Sequence, residues 1–314
     1  MSDTAGTPAT SGVPPAGPRA GPASSGAGSP RRRRVSPYVG LVPFFLYVSI
    51  FLLLPTLIVA VGAFQDATGA LTLTNIEAVF SGPAYGDAFV RSIQLSIMTA
   101  LAGAILGALL AWAVANGNPG GWLRQTVIAA SGVLAQFGGV MLAFAFLATF
   151  GFNGLLTVML KEALGTDVTG GGTWLYSMAG LTVVYTYFQI PLMLIVFLPA
   201  VDGLRREWWD ASASLGGGSW AYWRHVAGPI LLPTFLGATL LLFTNAFSAY
   251  ATAAALISQG SPLVTLQIRN AMTSEVILGQ ENVGKALALG MIIIVSLVMI
   301  AYTILQQRTS KWLR

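Results

Sequence analysis

The sequence predicts an all-α polytopic membrane protein with six transmembrane helices. Of its 314 residues, 55% are hydrophobic and only 9% are charged, whereas a soluble globular domain carries about 25% charged residues. Long apolar runs recur without the alternation of a barrel strand, and backbone in hydrocarbon must then form helices of about 20 residues. Composition and run length together exclude an ordinary soluble domain.

Six apolar runs are long enough to cross a bilayer, and residues 37–314 form one predicted transmembrane domain. The runs lie at about 38–64, 92–116, 126–150, 174–198, 230–257 and 284–306. The first run is longer than the apolar core of about 7 to 15 residues in a cleaved signal, which favours a retained anchor. Residues 1–36 hold few large apolar side chains, so we expect them to form a disordered basic tail.

The distribution of charge predicts the orientation, since cytoplasmic loops are enriched in Lys and Arg. An even number of crossings puts both termini on one side, and that side carries 12 of the 16 Lys and Arg residues, including residues 31–34. Most acidic residues fall on the other side. We therefore expect both termini and the loop at 201–229 to face the cytoplasm, with no role for the basic residues in nucleic-acid binding.

The residue types present offer little to a catalytic or metal site. The chain has no Cys and a single His, His225, so neither a zinc site nor a nucleophile with its base is predicted. The predicted spans hold no Asp, Glu, Lys or Arg in their interiors, although ion-coupled carriers keep such groups at membrane depth. We expect no catalytic residue, no metal, and an energy source outside the bilayer, which leaves an intramembrane enzyme as the weakest interpretation.

A run at 279–285 matches a phosphate-binding P-loop except at its last position. It precedes an apolar helix instead of following a strand, and Ala286 stands where a hydroxyl would bind magnesium. We expect no nucleotide binding there.

A polar, tryptophan-rich segment separates the fourth and fifth runs. Residues 207–215 have acids near their start and no proline, which favours a short helix with its acids at the positive end. Three glycines follow at 216–218, and prolines return at Pro229 and Pro233. The pattern predicts a helix, a turn and a second helix at the cytoplasmic surface. Its tryptophans alone are typical of an aromatic belt at the headgroups.

The spacing of this segment resembles the EAA loop of the permease subunits of ATP-binding-cassette (ABC) importers of the MetI-like family. In that pattern E-A-A is followed by three residues, a glycine, nine residues, an aliphatic residue, any residue, leucine and proline. The matching residues here are Asp210, Ala211, Ser212, Gly216, Val226, Gly228 and Pro229. The departures are Asp for Glu, Ser for Ala and Gly for Leu.

The resemblance implies a five-helix MetI-like core with a cytoplasmic coupling helix that docks into a separate ATPase. The residues it implicates in coupling are Glu207, Asp210, Ala211, Ser212, Gly216, Val226 and Pro229. It implies no cofactor on this chain, with ATP and magnesium bound by the ATPase. The implied setting is the bacterial inner membrane. The implied partners are a second permease, two cytoplasmic ATPase subunits and an extracytoplasmic solute-binding protein. For the pair of permeases, a heterodimer is favoured over a homodimer.

Polar residues within the later spans are candidates for the translocation path, because polar groups facing lipid are costly. They are Gln136, Tyr185, Tyr187, Gln189, Asn245, Ser248 and Tyr250. The alternative is that each one satisfies a neighbouring helix. The details of the sequence are most similar to those of permeases for polyamines, phosphonates, thiamine or ferric iron. An ion-coupled secondary transporter and a non-transport membrane scaffold are the competing functions.

Overall fold

The structure is a computed structural model that describes residues 41–165, 170–257, 262–273 and 280–310. The predicted tail at 1–36 lies outside these residues. The chain divides into two units, residues 1–49 and 50–314. The described part of the first unit contains helix α1, Val42–Val48, whose first turn includes a proline.

The regular secondary structure among the described residues of the second unit is helical, and one isolated bridge joins Gln65 to Leu71. Its helices are α2 (Leu54–Gly62), α3 (Thr74–Ser81), α4 (Pro83–Ala115), α5 (Trp122–Gln136), α6 (Gly139–Phe150), α7 (Leu155–Leu164), α8 (Met178–Asp202), α9 (Arg206–Ser214), α10 (Ser219–Tyr222), α11 (Gly228–Ser248), α12 (Ala251–Leu256), α13 (Val264–Thr273) and α14 (Gln280–Ser310). Three shorter turns complete the sequence of elements: π-helical turns at Ser49–Leu53 and Trp223–Ala227, and a 3-10 turn at Gly170–Tyr176.

Six segments within the described residues are long and apolar enough to cross a membrane. They are Val42–Gly62, Pro83–Ala115, Gly139–Leu164, Met178–Asp202, Ser219–Ser248 and Gln280–Gln307. The prediction of an all-α polytopic membrane fold with six such helices is confirmed. The bounds differ most in the third and fifth segments, because the chain breaks its helix inside each predicted run.

The first break divides the run predicted at 126–150. Helix α5 ends at Gln136 and α6 begins at Gly139, with Gly138 extended and Gly139 at φ +68°. A positive φ is a conformation that only glycine adopts without steric cost, so two adjacent glycines allow the chain to leave one helix and start another. The third membrane segment is Gly139–Leu164, and α5 is a separate helix of 15 residues.

The second break lies near the end of the run predicted at 230–257. Ala249 is extended, with φ −70° and ψ 112°, and separates α11 from α12. At the other end of this run, the helix begins earlier than predicted. Helix α10, a π-helical turn and α11 follow one another directly, so the membrane segment runs from Ser219 to Ser248 with Pro229 and Pro233 inside it.

Helices α4 and α8 pack closely at the centre of the second unit. A Cβ atom added at Gly103 would lie 2.4 Å from Cβ of Gln189, and one added at Gly107 would lie 2.5 Å from Cβ of Met193. Small residues therefore let the two backbones approach. The buried face of α4 continues through other small side chains, namely Ser96, Ala100, Ala104 and Ala111.

Two further contacts hold the ends of the membrane helices opposite α9. The backbone N–H of Val264, at the start of α13, donates to the Ser92 hydroxyl of α4 at 2.9 Å. The stem of Lys285 on α14 occupies the space that a side chain at Gly62 would need, and its ammonium lies 2.8 Å from a Glu281 carboxylate oxygen. Lys285, the lysine of the P-loop-like run, is thus part of a helix contact.

Gly107→Ala should destabilise the protein by about 1–3 kcal/mol, because the new methyl group meets both Cβ of Met193 and the Ile190 carbonyl. Gly132→Ala is the matched control. Gly132 also lies inside a helix, but a Cβ there meets nothing within 4 Å, so this change should stabilise by about 0.5–1 kcal/mol. Thermal unfolding of the full chain in detergent measures both. A Gly107→Ala protein as stable as wild type would contradict the packing described here.

Candidate functional site

Helix α9 is a short surface helix attached to the end of a membrane helix. Helix α8 ends at Asp202 and α9 begins at Arg206, with none of its nine residues buried. Glu207 lies in its first turn, where a carboxylate interacts favourably with the positive end of the helix dipole. The predicted helix over 207–215 is therefore present within a residue of its expected bounds.

The glycine of the family pattern closes α9. Gly216 has φ +80°, its N–H donates to the Ala213 carbonyl at 2.9 Å, and the N–H of Gly217 donates to the Ser212 carbonyl at 2.9 Å. These two bonds form a Schellman motif, which satisfies the last helical carbonyls and requires a left-handed residue at that point. The spacing between Ser212 and Gly216 is therefore the spacing at which this motif closes a helix.

The outer face of α9 carries acids and small side chains. Glu207, Asp210 and Ala211 are exposed, whereas Ser212 is half-buried beside Gly217. Ala211 itself is small and exposed, and its helical neighbour Leu215 is 90% exposed. The structure thus brings Glu207, Asp210, Ala211, Ser212 and Gly216 together on one short element.

Val226 and Pro229 lie on the next helix and not on α9. Val226 belongs to the π-helical turn Trp223–Ala227, and Pro229 lies in the first turn of α11. The N–H of Gly228 bonds to the Trp223 carbonyl five residues back, and a Cβ at Gly228 would come within 2.5 Å of that oxygen. Gly228, which stands where the family has leucine, is therefore compatible with a wide turn that a larger residue would disturb.

The ends of three membrane helices meet near α9. An Arg124 nitrogen lies 2.5 Å from an Asp202 carboxylate oxygen, joining the start of α5 to the end of α8. The rings of Trp112 and Trp223 meet edge to face with centroids 6.4 Å apart, joining the end of α4 to the segment before α11. These ends were predicted to share one side of the membrane, and they lie together.

Two of the seven path candidates are buried between helices. The Tyr185 hydroxyl donates to the Ala249 carbonyl at 2.9 Å, and the Gln189 amide nitrogen donates to the Leu242 carbonyl at 3.1 Å. The Gln189 amide oxygen is buried and has no hydrogen-bond partner among the described residues. Tyr185 and Gln189 therefore make the contacts to a neighbouring helix that the alternative interpretation expects.

The other five candidates are exposed, and three of them flank the helix breaks. They are Gln136, Tyr187, Asn245, Ser248 and Tyr250. The two breaks are adjacent: the Thr252 hydroxyl donates to the Gly139 carbonyl at 3.2 Å, and a Cβ at Gly139 would lie 3.5 Å from that of Ala251. Gln136 ends α5, Ser248 ends α11 and Tyr250 precedes α12, so these three exposed residues stand directly beside the breaks.

Sequence reasoning did not identify Thr252 or Ala249 as part of this junction. The adjacent glycines at 138 and 139 are the one local signal for the first break. The second break lies at Ala249 and Tyr250, and neither position is a glycine or a proline. The local sequence therefore gave no signal for this break.

Comparison with known proteins relates the chain to one class of membrane protein. No family model matches it. It is 29% identical over 192 residues to the inner membrane ABC transporter permease protein YdcU of Escherichia coli, a match covering 57% of this chain and 60% of that protein. It is 26% identical over 218 residues to the thiamine transport system permease protein ThiP of Brucella abortus, covering 64% of this chain and 38% of ThiP. The match thus spans less than two thirds of the length of either relative.

The fold is similar to that of a solved transporter chain. A chain in the crystal structure of a bacterial alginate ABC transporter, in complex with an alginate pentasaccharide-bound periplasmic protein, superposes with a TM-score of 0.66 at 16% sequence identity. The superposition covers 87% of this chain and 94% of that chain. The fold is therefore that of an ABC transporter permease.

Gly216→Ala should loosen α9, because a Cβ costs about 1–2 kcal/mol in the left-handed conformation. Amide hydrogen exchange within Arg206–Ser214 should accelerate about 5- to 30-fold. Gly218→Ala is the control, since Gly218 has φ −82° and open space around its Cα. Equal exchange in the two variants would show that the Schellman turn does not hold α9.

Proposed function

Because this chain is related in sequence and in fold to the permease components of ABC transporters, we propose that it is the permease subunit of an ABC importer. Such permeases are non-catalytic membrane components, so ATP with its magnesium would be bound and hydrolysed by a separate subunit. The observation that carries the proposal is α9: a Schellman-closed surface helix with no buried residue and with acidic and small residues on its outer face. The name of the related E. coli protein supports an inner-membrane location.

In this proposal α9 is the coupling helix and docks into a cleft on the ATPase. Glu207 and Asp210 supply negative charge on the exposed face, while Ala211 and Ser212 allow a close approach. Gly216 fixes the end of the helix. Val226 and Pro229 do not contact the ATPase in this proposal. They act indirectly, because they lie in the segment that joins α9 to the membrane. The predicted excess of Lys and Arg on this side supports a cytoplasmic position for α9 and both termini.

The translocation path would run past the junction of the two helix breaks. Exposed polar side chains at Gln136, Asn245, Ser248 and Tyr250 are available to a solute there, with Tyr187 nearby on α8. Discontinuous helices at membrane depth are a feature of transport sites, because their ends offer backbone groups to the solute. Tyr185 and Gln189 would support the path from behind by holding the backbone of α11 and the residue that follows it.

An uncharged path supports a small polar solute delivered by a separate binding protein. The related proteins are named for the transport of thiamine, of spermidine and putrescine, and of sulfate, which is consistent with a small solute of the polyamine type. The exposed path residues also favour a partner permease that covers them, a heterodimer being preferred, together with two ATPase subunits and an extracytoplasmic binding protein. The alginate transporter was solved with its periplasmic protein.

An ion-coupled secondary transporter is the second candidate. The six membrane segments in the described residues hold their charged groups near the ends, with Arg91 on α4 and Lys285 on α14 the deepest. This arrangement disfavours ion coupling. Uptake into proteoliposomes that contain only this chain and an imposed proton or sodium gradient would favour the second candidate.

Ala211→Trp should abolish docking of the ATPase, because an indole on the outer face of α9 prevents close approach. We expect at least about a tenfold loss of affinity, equivalent to 1.4 kcal/mol, in co-purification of the ATPase with the tagged full chain. Ala84→Trp is the control: it makes the same change at another exposed alanine, at the far end of α4. If Ala211→Trp retains the ATPase as fully as Ala84→Trp, α9 is not the docking site.

A further inference from the structure

Four aromatic rings form a continuous chain from α9 to the membrane helix α4. The rings of Trp209 on α9 and Tyr222 on α10 meet edge to face with centroids 5.0 Å apart. Tyr222 and Trp223 are 6.3 Å apart, also edge to face, and Trp223 meets Trp112 of α4 at 6.4 Å. Each separation lies in the range where aromatic pairs attract beyond simple burial.

Two consecutive residues reach two different neighbours at the start of the π-helical turn. Tyr222 precedes this turn and Trp223 begins it, and consecutive side chains on a helix point about 100° apart. Gly228 allows the turn, because its N–H reaches the Trp223 carbonyl and it has no Cβ to collide with that oxygen. Such turns occur mainly as single insertions in longer helices and are frequent at functional sites.

Of the four rings, Tyr222 is packed into the bundle, whereas Trp209 and Trp112 keep 38% and 47% of their surface exposed. Tyr222 is buried, with 7% of its surface exposed, and Trp112 and Trp223 line an apolar cleft of about 490 Å³ with residues of α4, α8 and α11. Among the cleft-lining side chains Phe197, Leu231 and Phe235 offer no polar partner. The link between α9 and α4 is therefore made by packing of ring against ring.

We propose that Trp209, Tyr222, Trp223 and Trp112 position α9 on the bundle and transmit its displacement to α4. This inference rests on the proposed function, in which α9 receives the movement of the ATPase. Each edge-to-face contact favours its own geometry by about 0.5–1.5 kcal/mol, so a displacement of one ring favours a matching displacement of the next. The four residues are positioning residues: none of them needs to touch ATP or solute.

Trp208 provides a matched control on the same helix. It is the neighbour of Trp209, but its ring faces Arg205, whose guanidinium carbon lies 5.9 Å from the ring centroid. Replacing Trp209 with alanine should interrupt the series of ring contacts, whereas replacing Trp208 should leave those contacts intact. An aromatic pair contributes about 0.5–1.5 kcal/mol, so losing one link should raise the detached population of α9 about two- to tenfold.

The first experiment uses the full chain in lipid nanodiscs without any ATPase. The chain contains no cysteine, so Ala113→Cys on α4 and Ser214→Cys on α9 introduce a unique pair of spin labels, both at exposed positions. Double electron–electron resonance should give a narrow distance distribution for wild type, Trp208→Ala and Tyr222→Phe. Trp209→Ala and Tyr222→Ala should broaden it. A narrow distribution in Trp209→Ala, or equal broadening in Trp208→Ala, would overturn the proposal.

The second experiment tests transmission in the complex with its co-purified ATPase. A single spin label at Ala113→Cys should change its mobility when ATP and vanadate are added. Tyr222→Ala should keep the ATPase bound but lose this change, and Tyr222→Phe should keep both. A wild-type complex without the change, or a Tyr222→Ala complex that retains it, refutes transmission through the rings. If every variant of α9 kept the ATPase bound, the docking role would be refuted instead. The nanodisc measurement contains no ATPase, so its result does not depend on docking.

Discussion

The close approach of α4 and α8 is the constraint on which the other contacts depend. Apolar side chains gain little by leaving lipid for a neighbouring helix, so membrane helices associate through tight packing and hydrogen bonds. Gly103 and Gly107 provide the necessary space for Gln189 and Met193. With these two helices in contact, α8 offers its remaining faces to α5 and α11, and its C-terminal end sets the starting point of α9.

The same contact explains how the fold accommodates the two helix breaks at the ends of membrane segments. Non-helical backbone in a bilayer needs hydrogen-bond partners from the protein. Once α8 is fixed, the Tyr185 hydroxyl reaches the Ala249 carbonyl, and the Thr252 hydroxyl on α12 reaches the Gly139 carbonyl. Buried polar residues thus maintain the breaks, while exposed polar residues beside the breaks remain available to a solute.

Hydropathy was sufficient to predict six membrane helices, because backbone in hydrocarbon has few alternatives to a helix. The family spacing was sufficient to predict the end of α9, since Gly216 stands where a left-handed residue closes the helix. The break at Ala249 was not predictable in this way. The Ala249 carbonyl accepts a hydrogen bond from Tyr185, 64 residues earlier in the chain, and single-sequence patterns carry no information about that contact. The π-helical turn before α11 was likewise not predictable from the glycine at 228. The role of Gly228 follows from its close approach to the Trp223 carbonyl, which only the structure shows.

Helix α9 has too few contacts to hold its position by burial. It has nine residues, none of them buried, and isolated helices of this length are marginal in water. Its capping turn preserves the helix but does not fix it to the bundle, since Gly216 and Gly217 bond only within the turn. Positional control must come from the side chains that reach inward, and Trp209 meets Tyr222, whose neighbour Trp223 meets Trp112 of α4. Because the α4–α8 contact has no space to yield, a displacement of α9 is either absorbed in its flanking turns or carried by those rings, and the ring contacts determine which of the two occurs.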